Sequence, residues 1–299
     1  MALEIRGCGT ALVTPFKPDL SVDEEALRRF VQFQVNEGID FLVPCGTTGE
    51  TPTLEHEEYL RVIQIVVEEA RGRVPVVAGV GGNNTRKVAA LAQEVSRLGV
   101  QAILSVAPYY NKPTQEGLYQ HFKAIAESSS VPVILYNVPG RTSSNIEPAT
   151  VARLSKIPTI VGIKEASGSI TQQMEVLNAV DASFAVLSGD DSFTFPLMAL
   201  GGVGVISVAS NEIPGAMSRL AALLLQEKYE EARKLNARLL ALMQANFIET
   251  SPIPVKAALA MMGLIEEVYR LPLVPMKVEN RSRLRKVLEE QGLVKAQTE

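Results

Sequence analysis

The chain has 299 residues, 46% of them hydrophobic and 21% charged, with 29 basic and 33 acidic side chains and a formal net charge of −4. This balance excludes a disordered chain and argues against a nucleic-acid partner, because the sequence has no block of Lys and Arg to meet a phosphate backbone. Two cysteines are too few for the disulfide framework of a small secreted protein, so we expect a reducing, cytoplasmic location.

Two segments bear on a membrane or secretory role. The residues from Met1 to Arg6 become charged before an apolar segment of signal-peptide length can form, so no secretory signal is expected. The stretch from Ser192 to Asn211 carries no charge and is about as long as a membrane span. Pro196 and three glycines interrupt it, which predicts a short helix followed by a buried strand. We therefore expect small-molecule substrates and no membrane partner.

Short apolar, β-branched runs recur along the chain at intervals of about 20 to 35 residues, the spacing of βα units. Each run is nearly continuous, as in parallel strands covered on both faces, and the gaps have helical periodicity. The eight predicted strands are Thr10–Phe16, Phe41–Gly46, Val76–Gly81, Ala102–Pro108, Val133–Pro139, Ile160–Ala166, Ala185–Asp190 and Gly204–Ser210. This α/β pattern has no break in its rhythm, so it predicts a (β/α)8 barrel rather than a doubly wound sheet.

Helix-capping patterns follow several of the predicted strands. Ser21-Val22-Asp23-Glu24 has the form of a capping box that opens the first helix. Asn84 or Thr85 opens another helix, which we expect to end at Gly99. Ser169-Ile170-Thr171-Gln172 repeats the capping box after the sixth strand. The caps agree with a helix after each strand.

Roughly 90 residues follow the last predicted strand, more than one closing helix needs. The patterns predict helices over Gly215–Gln226, Tyr229–Phe247, Val255–Met262 and Arg281–Gln291. Prolines punctuate this region, and no flexible linker separates it from the rest. We predict a barrel over residues 1–225 and a C-terminal layer of about three extra helices over residues 226–299.

The active site of such a barrel lies at the carboxyl ends of its strands, where Lys164 stands out. Lys164 interrupts the buried run Ile160–Ala166. Burial would lower the pKa of its ammonium group and favour the neutral amine, the form that attacks a carbonyl to make a Schiff base. The alternative is a lysine that reaches water at the strand end or pairs with Glu165.

Three other segments at strand ends could serve a carbonyl substrate. Tyr136 ends the strand before that of Lys164 and could relay protons, or it could fill the core. The turn Cys45-Gly46-Thr47-Thr48-Gly49-Glu50 offers N–H groups and hydroxyls for a carboxylate, with Thr47 able to pass a proton, although as a bare pattern it is only a turn. Arg141 could clamp a carboxylate with two hydrogen bonds, or it could be solvated.

The sequence lacks the patterns of metal-dependent and nucleotide-dependent enzymes. His56 and His121 are its only histidines, too few for a metal-dependent aldolase, and no metal site is predicted. Asp190-Asp191 could hold a metal, or it could cap the helix that follows. Gly79–Asn84 ends in Asn where the dinucleotide fingerprint requires Gly or Ala. Neither a metal-dependent nor a dinucleotide-dependent enzyme is therefore indicated by these patterns.

Five motifs, in order along the chain, resemble the dihydrodipicolinate synthase family. They are Gly46-Thr47-Thr48-Gly49-Glu50, Pro108-Tyr109-Tyr110-Asn111-Lys112-Pro113, Tyr136-Asn137-Val138-Pro139-Gly140-Arg141-Thr142, Gly162-Ile163-Lys164-Glu165-Ala166 and Leu187-Ser188-Gly189-Asp190-Asp191. The similarity covers essentially the whole chain, including the helical tail. It implies a lyase that condenses pyruvate with L-aspartate 4-semialdehyde through a Schiff base, without a cofactor, giving 4-hydroxy-tetrahydrodipicolinate on the route to diaminopimelate and lysine.

The resemblance also implies roles for individual residues and an assembly. The implied catalytic residues are Lys164, Tyr136, Thr47 and Tyr110, and the implied substrate contacts are Thr48, Arg141, Gly189 and Ile206. Lys164 would form the imine with pyruvate, and Tyr110 would reach into the site of a neighbouring subunit. Thr48 would hold the carboxylate of pyruvate, and Arg141 that of the semialdehyde. The implied assembly is a homotetramer built as a dimer of dimers.

The resemblance further implies a site where some family members bind L-lysine as an inhibitor. The matching groups here are His56, Asn83, Lys87 and Tyr109. Lys87 stands where those members have a glutamate that receives the effector's ammonium group, so the charge is reversed. Tyr59 and Pro52 also depart from the family pattern. We predict weak inhibition by L-lysine, or none.

Two alternative functions remain open at this point. N-acetylneuraminate lyase, or another 2-keto acid aldolase of the same superfamily, shares the lysine and the tyrosine, while Arg141 after the Tyr136 motif favours the synthase. The second alternative is a barrel that binds a keto acid without turning it over. A pure binding protein would have no need to keep the nucleophile and its relay residues together.

Overall fold

The computed structural model describes residues 5–296, and within them eight parallel strands form one sheet. They are β1 (Gly7–Ala11), β2 (Phe41–Val43), β3 (Val77–Gly79), β4 (Ala102–Val106), β5 (Val133–Asn137), β6 (Ile160–Glu165), β7 (Ala185–Ser188) and β8 (Gly204–Ser207). Their spatial order is β2-β1-β8-β7-β6-β5-β4-β3, and a parallel bridge between Leu42 and Val76 joins the two ends. The predicted (β/α)8 barrel is confirmed.

Twelve α-helices accompany the strands within the described part of the chain. They are α1 (Glu24–Asn36), α2 (His56–Ala70), α3 (Thr85–Val95), α4 (Gln115–Ser128), α5 (Pro139–Thr142), α6 (Pro148–Leu154), α7 (Ile170–Ala179), α8 (Thr194–Ala199), α9 (Pro214–Leu225), α10 (Tyr229–Ala245), α11 (Ile253–Met261) and α12 (Val278–Glu290). Helix α10 packs on α8 and α9, and α12 packs on α10 and α11. The C-terminal helical extension is confirmed, while the division at residue 225 stays a prediction.

The strands are buried on both faces, as their continuous apolar sequences require. One cluster fills the barrel interior and includes Phe41, Leu104, Ile134 and Leu187. A larger cluster lies between the strands and the surrounding helices. A Cβ atom at Gly9 would lie 2.0 Å from the Phe41 ring, so glycine at this strand position leaves the interior ring its space.

The first strand lies earlier in the chain than predicted. It spans Gly7–Ala11 instead of Thr10–Phe16, and it pairs with β8 and β2 only over that span. The N–H of Val13 donates to the Asn211 side chain at 3.1 Å rather than to a strand. Phe16 is nevertheless fully buried. The apolar pattern therefore indicated burial correctly but not the extent of strand pairing.

The N-cap of α1 also differs from the prediction. Asp23 caps the helix, because its carboxylate accepts a hydrogen bond from the N–H of Ala26 at 3.0 Å. The Ser21 hydroxyl donates instead to Asp19, two residues before it, at 2.6 Å. A carboxylate at this end also interacts favourably with the helix dipole. The predicted capping box therefore opens two residues too early.

Two other predicted caps are partly correct. Asn84 caps α3 as expected, but the helix ends at Val95, and turns carry the chain on to Gly99. Ser169 caps α7 by accepting from the N–H of Gln172 at 3.2 Å. The Gln172 side chain bonds to other partners, so half of the predicted capping box is present.

The charge-free stretch from Ser192 to Asn211 forms the end of a 3-10 turn, the short helix α8 and the buried strand β8, as predicted. Within residues 5–296, no helix combines the length and the apolar character that crossing a bilayer requires.

Candidate active site

A cavity of about 110 Å³ lies at the carboxyl ends of the barrel strands. Its walls include six of the predicted site residues, Thr47, Thr48, Tyr136, Arg141, Lys164 and Gly189. They belong to β5, β6 and the segments that follow β2, β5 and β7. The closure of the barrel thus brings together groups that lie up to 142 positions apart in the sequence, from Thr47 to Gly189.

Lys164 is the nucleophile candidate at the bottom of this cavity. It is 5% exposed, and it lies opposite Tyr136 in the β5–β6 ladder. Its Nζ atom is 4.5 Å from the centroid of the Tyr136 ring. The predicted alternative, a pair with Glu165, is wrong, because the Glu165 carboxylate accepts from Asn137 Nδ2 at 3.0 Å and from the N–H of Ser167 at 2.7 Å.

Burial lowers the pKa of Lys164 from 10.5 to about 8. The positive charge of Arg141 acts in the same direction, while the carboxylates of Asp191 and Asp190 oppose the shift. Roughly one tenth of the side chain is then neutral at pH 7, against less than a thousandth for an ordinary lysine. The environment therefore supplies the free amine that nucleophilic attack requires.

Tyr136 places a phenol beside this amine. Burial raises the pKa of Tyr136, and the charge of Arg141 and a hydrogen bond with the Thr47 side chain offset part of that effect. The phenol therefore stays protonated at neutral pH and can exchange a proton with its hydrogen-bonded neighbour. Tyr136 therefore lies between the Thr47 hydroxyl and the Lys164 amine.

A 3-10 turn over Thr47–Gly49 follows β2 and carries the two threonines. The Thr14 hydroxyl donates to the carbonyl of Gly49 at 2.7 Å, and the Thr51 hydroxyl donates to the carbonyl of Gly46 at 2.8 Å. Thr48 is only 5% exposed, so its side chain faces the protein interior and the cavity. The turn is held at both ends.

Gly189 is next to Lys164 in space. A Cβ atom at this position would lie 2.6 Å from the Cβ of Ala166, 3.0 Å from Cε of Lys164 and 3.1 Å from its Cγ. Glycine here therefore leaves room for the lysine side chain. Gly189 lines the cavity, as the family resemblance implied, and its close packing against Lys164 gives a physical reason for glycine at this position.

Asp190 caps the 3-10 turn that follows β7, whereas Asp191 bonds to the segment that follows β8. Asp190 accepts from the N–H of Ser192 at 2.8 Å. Asp191 is buried and accepts from the N–H groups of Val208 and Ala209 at 3.0 and 2.8 Å. Of the two predicted alternatives, the structure supports the capping role for Asp190, while Asp191 joins the segment after β7 to that after β8.

Arg141 lies in α5, at the mouth of the cavity. Its Nη2 atom donates to the carbonyl of Ser251 at 3.3 Å. Ser251 and Phe247 come from the C-terminal layer, and both line the cavity. Sequence reasoning missed these two residues, since neither lies in a motif and neither interrupts an apolar run.

Two predicted site residues lie outside the cavity wall. Ile206 belongs to the interior cluster of the barrel, where it is 1% exposed. Tyr110 is 88% exposed and has a left-handed backbone, with φ of 75°. Its side chain is therefore surrounded mainly by solvent and does not line the cavity of its own chain.

A second cavity, of about 410 Å³, adjoins the first. The two share wall residues, among them Thr47, Tyr136 and Arg141. The other walls of the second cavity include Pro52, Tyr59, Leu91, Val106 and Tyr109. An open, largely apolar space therefore leads from the surface to the proton-relay candidates.

Of the four predicted effector residues, Tyr109 lies in the wall of this second cavity. Asn83 Nδ2 donates to the carbonyl of Tyr109 at 3.2 Å. His56 lies 3.2 Å from the Glu94 carboxylate, and Lys87 is exposed on the first turn of α3. Within residues 5–296, His56, Asn83 and Lys87 do not line the second cavity.

A sequence profile described as the dihydrodipicolinate synthetase family matches residues 4–291. Among curated proteins, the 4-hydroxy-tetrahydrodipicolinate synthase of Koribacter versatilis is 58% identical over 297 residues, which cover 99% of each chain. The match is therefore full length and spans both the barrel and the helical tail.

Solved structures of dihydrodipicolinate synthases also match this chain over nearly its whole length. The dihydrodipicolinate synthase of Acinetobacter baumannii complexed with pyruvate superposes with a TM-score of 0.96 at 44% identity, over 97% of this chain and 100% of that one. A structure described as the first monomeric dihydrodipicolinate synthase variant has a TM-score of 0.95 at 45% identity and covers 97% of each chain.

Proposed function

We propose that this chain, which belongs to the dihydrodipicolinate synthetase family, condenses pyruvate with L-aspartate 4-semialdehyde to give 4-hydroxy-tetrahydrodipicolinate. The predicted family and enzyme class, a pyruvate-dependent lyase, are confirmed by the full-length match. The observation that carries the proposal is the buried amine of Lys164, held against Tyr136 with its pKa lowered to about 8.

In this mechanism the neutral Lys164 amine attacks the ketone carbon of pyruvate, and water leaves to form the imine. The protonated imine is an electron sink, so a methyl proton can be removed to give the enamine. The enamine carbon then attacks the aldehyde carbon, and the new alkoxide takes a proton. Hydrolysis of the imine consumes the water released when it formed and returns the Lys164 amine. The amino group derived from the semialdehyde then attacks the freed ketone carbon, and a second water leaves as the ring closes, so the whole reaction releases one water.

The proton transfers need an acid and a base beside the imine. We assign them to Tyr136 and Thr47, because the Thr47 side chain is hydrogen-bonded to the Tyr136 phenol. Thr48, buried in the cavity wall, is assigned to the pyruvate carboxylate. Arg141, at the mouth, is assigned to the carboxylate of the semialdehyde, where a guanidinium can donate two parallel hydrogen bonds. Gly189 is assigned to the wall of the pocket, and Ile206 to the packing of the barrel interior.

The test of the proposal compares aldehyde partners. The purified enzyme is given pyruvate with L-aspartate 4-semialdehyde, and in parallel it is given N-acetylneuraminate as a substrate for cleavage. We expect turnover of the semialdehyde to exceed neuraminate cleavage by orders of magnitude. Preferred cleavage of neuraminate would assign the chain to the aldolase branch, and an imine without turnover of either substrate would make it a keto-acid-binding protein.

The lowered pKa of Lys164 predicts the pH dependence of imine formation. Only the neutral amine attacks, so the rate with saturating pyruvate rises with pH and levels off above about pH 8. An ordinary lysine would level off only above pH 10. Stopped-flow measurement of adduct formation between pH 6 and 10 checks this. A rate that still climbs beyond pH 9.5 would contradict the assigned microenvironment.

We propose that Tyr110 completes the proton relay of a neighbouring subunit in a tetramer of two tight dimers. Its side chain is 88% exposed in its own chain, and the second cavity offers an open route to Thr47 and Tyr136. One structural neighbour is a monomeric variant, so the fold alone does not decide the assembly. A symmetric dimer would let each chain supply one tyrosine and receive one.

Subunit mixing is the sharpest test of this arrangement. Tyr110→Phe and Lys164→Ala homo-oligomers are each expected to be inactive or nearly so. Co-refolded hybrids should regain activity, because one site of the pair then has both its own Lys164 and an intact Tyr110 from the partner. Analytical ultracentrifugation under assay conditions provides the assembly state. A fully active monomer, or hybrids without any gain, would refute the proposal.

L-Lysine is expected to inhibit only at millimolar concentrations or not at all. Lys87 places a positive charge where the family resemblance implies a glutamate, so it should repel the ammonium group of the effector. A loss of about 1.4 kcal/mol of binding free energy is enough to weaken the affinity tenfold. The buried Tyr59 hydroxyl is already committed to the carbonyl of Gly79 at 2.6 Å. An inhibition curve decides, and a micromolar half-inhibitory concentration would contradict the charge argument.

A single substitution is not expected to restore inhibition. Lys87→Glu returns the carboxylate, but Tyr59 and Pro52 still differ from the implied pattern. Glu94 is a carboxylate close by that could receive the ammonium group in place of the missing glutamate, yet it is engaged by His56 at 3.2 Å.

We also propose a cytoplasmic location, in line with Cys8 and Cys45, which are free and buried.

A further inference from the structure

One buried ion pair is not used by the mechanism above. Lys256 of α11 and Glu50, which follows the Thr47–Gly49 turn, are 0% exposed at their side chains and lie 2.5 Å apart, Nζ to Oε1. They are 206 positions apart in the sequence. The pair therefore ties the C-terminal layer to the turn that carries the two threonines of the site.

The surroundings hold both charges in place. The Lys256 ammonium lies 4.4 Å from the centroid of the Phe16 ring and 5.4 Å from that of Tyr269, so aromatic faces cover it. The second carboxylate oxygen of Glu50 accepts from the N–H of Arg270 at 3.3 Å. Each charge thus has partners apart from its counterion.

The backbone of Glu50 connects the buried ion pair to the turn that carries Thr47 and Thr48. Glu50 has a left-handed φ of 54° and joins two 3-10 turns, Thr47–Gly49 and Thr51–Thr53. Its N–H donates to the carbonyl of Thr47 at 3.2 Å, and its own carbonyl accepts from the N–H of Thr53 at 2.9 Å. A shift of Glu50 would therefore move Thr47 and Thr48 with it.

A fully buried ion pair is a poor source of stability, since the desolvation of two charges offsets most of their attraction. Well-packed apolar side chains would join α11 to the barrel equally well. An ion pair differs from apolar packing in one respect. It fixes both the distance and the direction between its two groups, here the Lys256 ammonium and the Glu50 carboxylate.

We propose that Glu50 and Lys256 are positioning residues, which hold the Gly46–Glu50 turn so that Thr47 and Thr48 face Lys164. The inference rests on the proposed function, in which these threonines relay a proton and bind the pyruvate carboxylate. It makes the C-terminal layer part of the active-site scaffold. Neither Glu50 nor Lys256 touches substrate in this arrangement.

The test uses Lys256→Met, which keeps the length of the side chain without its charge, together with Glu50→Gln and the double variant. Pyruvate KM and kcat are measured well below each variant's melting temperature. Hydrogen exchange is followed in peptides that cover residues 44–54. We expect faster exchange in that segment and a rise in pyruvate KM on the order of tenfold for each single variant. In the double variant, the effect on exchange and the effect on KM are each expected to be smaller than the combined effects of the two single variants.

Leu284→Ala is the matched control. Leu284 is 0% exposed in the core of the C-terminal layer, so its truncation destabilises the same layer without touching the turn. The control should keep the pyruvate KM of the wild type and its exchange at residues 44–54. Glu50→Asp, which keeps the charge on a shorter side chain, should fall between Glu50→Gln and the wild type.

The outcomes separate this inference from the proposed function. Unchanged exchange at residues 44–54 together with unchanged KM in Lys256→Met would overturn the inference, even if the melting temperature falls. If Lys256→Met does not fold, the same readouts in Glu50→Gln decide. A wild-type enzyme that forms no imine with pyruvate would sink the proposed function, and the exchange measurement would still decide whether the pair holds the turn.

Discussion

Lys164→Ala is expected to abolish the pyruvate adduct that borohydride traps in the wild-type enzyme, while the barrel stays folded. The reason is that the reaction needs a neutral amine at the bottom of the cavity, and alanine removes it. Lys164→Arg should fail as well, because a guanidinium stays protonated at any pH the enzyme tolerates and is a poor nucleophile. Mass spectrometry of the reduced protein, followed by peptide mapping, locates any adduct.

Lys256 provides an internal comparison for this experiment. It is also buried, and burial lowers its pKa too, but its ammonium group is paired with Glu50 and does not line the cavity. A lowered pKa is therefore not sufficient, and access to the substrate decides which lysine reacts. We expect the wild-type adduct on Lys164 alone. An adduct on Lys256 or on any exposed lysine would contradict the assignment.

The survival of the fold in Lys164→Ala follows from the local packing. The substitution removes a charge that burial disfavours, and it leaves space in a cavity that is already open. No ion pair is broken, since the Glu165 carboxylate is held by Asn137 and Ser167. Circular dichroism and a melting curve close to those of the wild type are the control for loss of the adduct.

The sequence was informative about the barrel because βα units are local. Each strand and its helix are encoded within about 30 residues, and burial on both faces leaves a continuous apolar run. The first strand shows where this reasoning fails. Residues after Ala11 are as apolar as a strand, but Val13 donates to the Asn211 side chain, and only the closed barrel brings that partner close. Apolar composition reports burial, whereas strand ends depend on tertiary hydrogen bonds.

Thr48, Gly189, Ile206 and Tyr110 were assigned to the site by the family resemblance, and the residue pattern alone pointed to a site residue mainly where that residue stands out from its surroundings. Lys164 was visible because a charge interrupts a buried run, and Arg141 because it follows a strand end. Phe247 and Ser251 gave no such signal, since an apolar or small side chain at a helix end is ordinary. The Glu50–Lys256 pair was hidden for another reason. Each residue looks like a surface charge until the C-terminal layer packs on the barrel.

Gly189→Ala is expected to lower kcat/KM for pyruvate on the order of a hundredfold, the scale of a displacement of about 1 Å at a reacting group. One methyl group is enough because its carbon would lie 2.6 Å from the Cβ of Ala166 and about 3 Å from two carbons of Lys164. The flexible lysine side chain gives way more easily than the strand. The amine should therefore leave its place beside Tyr136. Stopped-flow imine formation and steady-state kinetics measure the effect.

Two further variants show whether displacement of the lysine is the cause. Gly140→Ala is the control, because a Cβ atom there would meet no atom within 4 Å apart from its chain neighbours and the backbone of its own helix, and the backbone is not left-handed. It should keep the activity of the wild type. Ala166→Gly in the Gly189→Ala background removes the shortest contact, so it should recover part of the lost rate. If Gly189→Ala forms the imine at the wild-type rate, the close packing of glycine against Lys164 has no part in catalysis. If the rescue fails while the protein stays folded, the contacts with Lys164 itself, rather than that with Ala166, set the position of the amine.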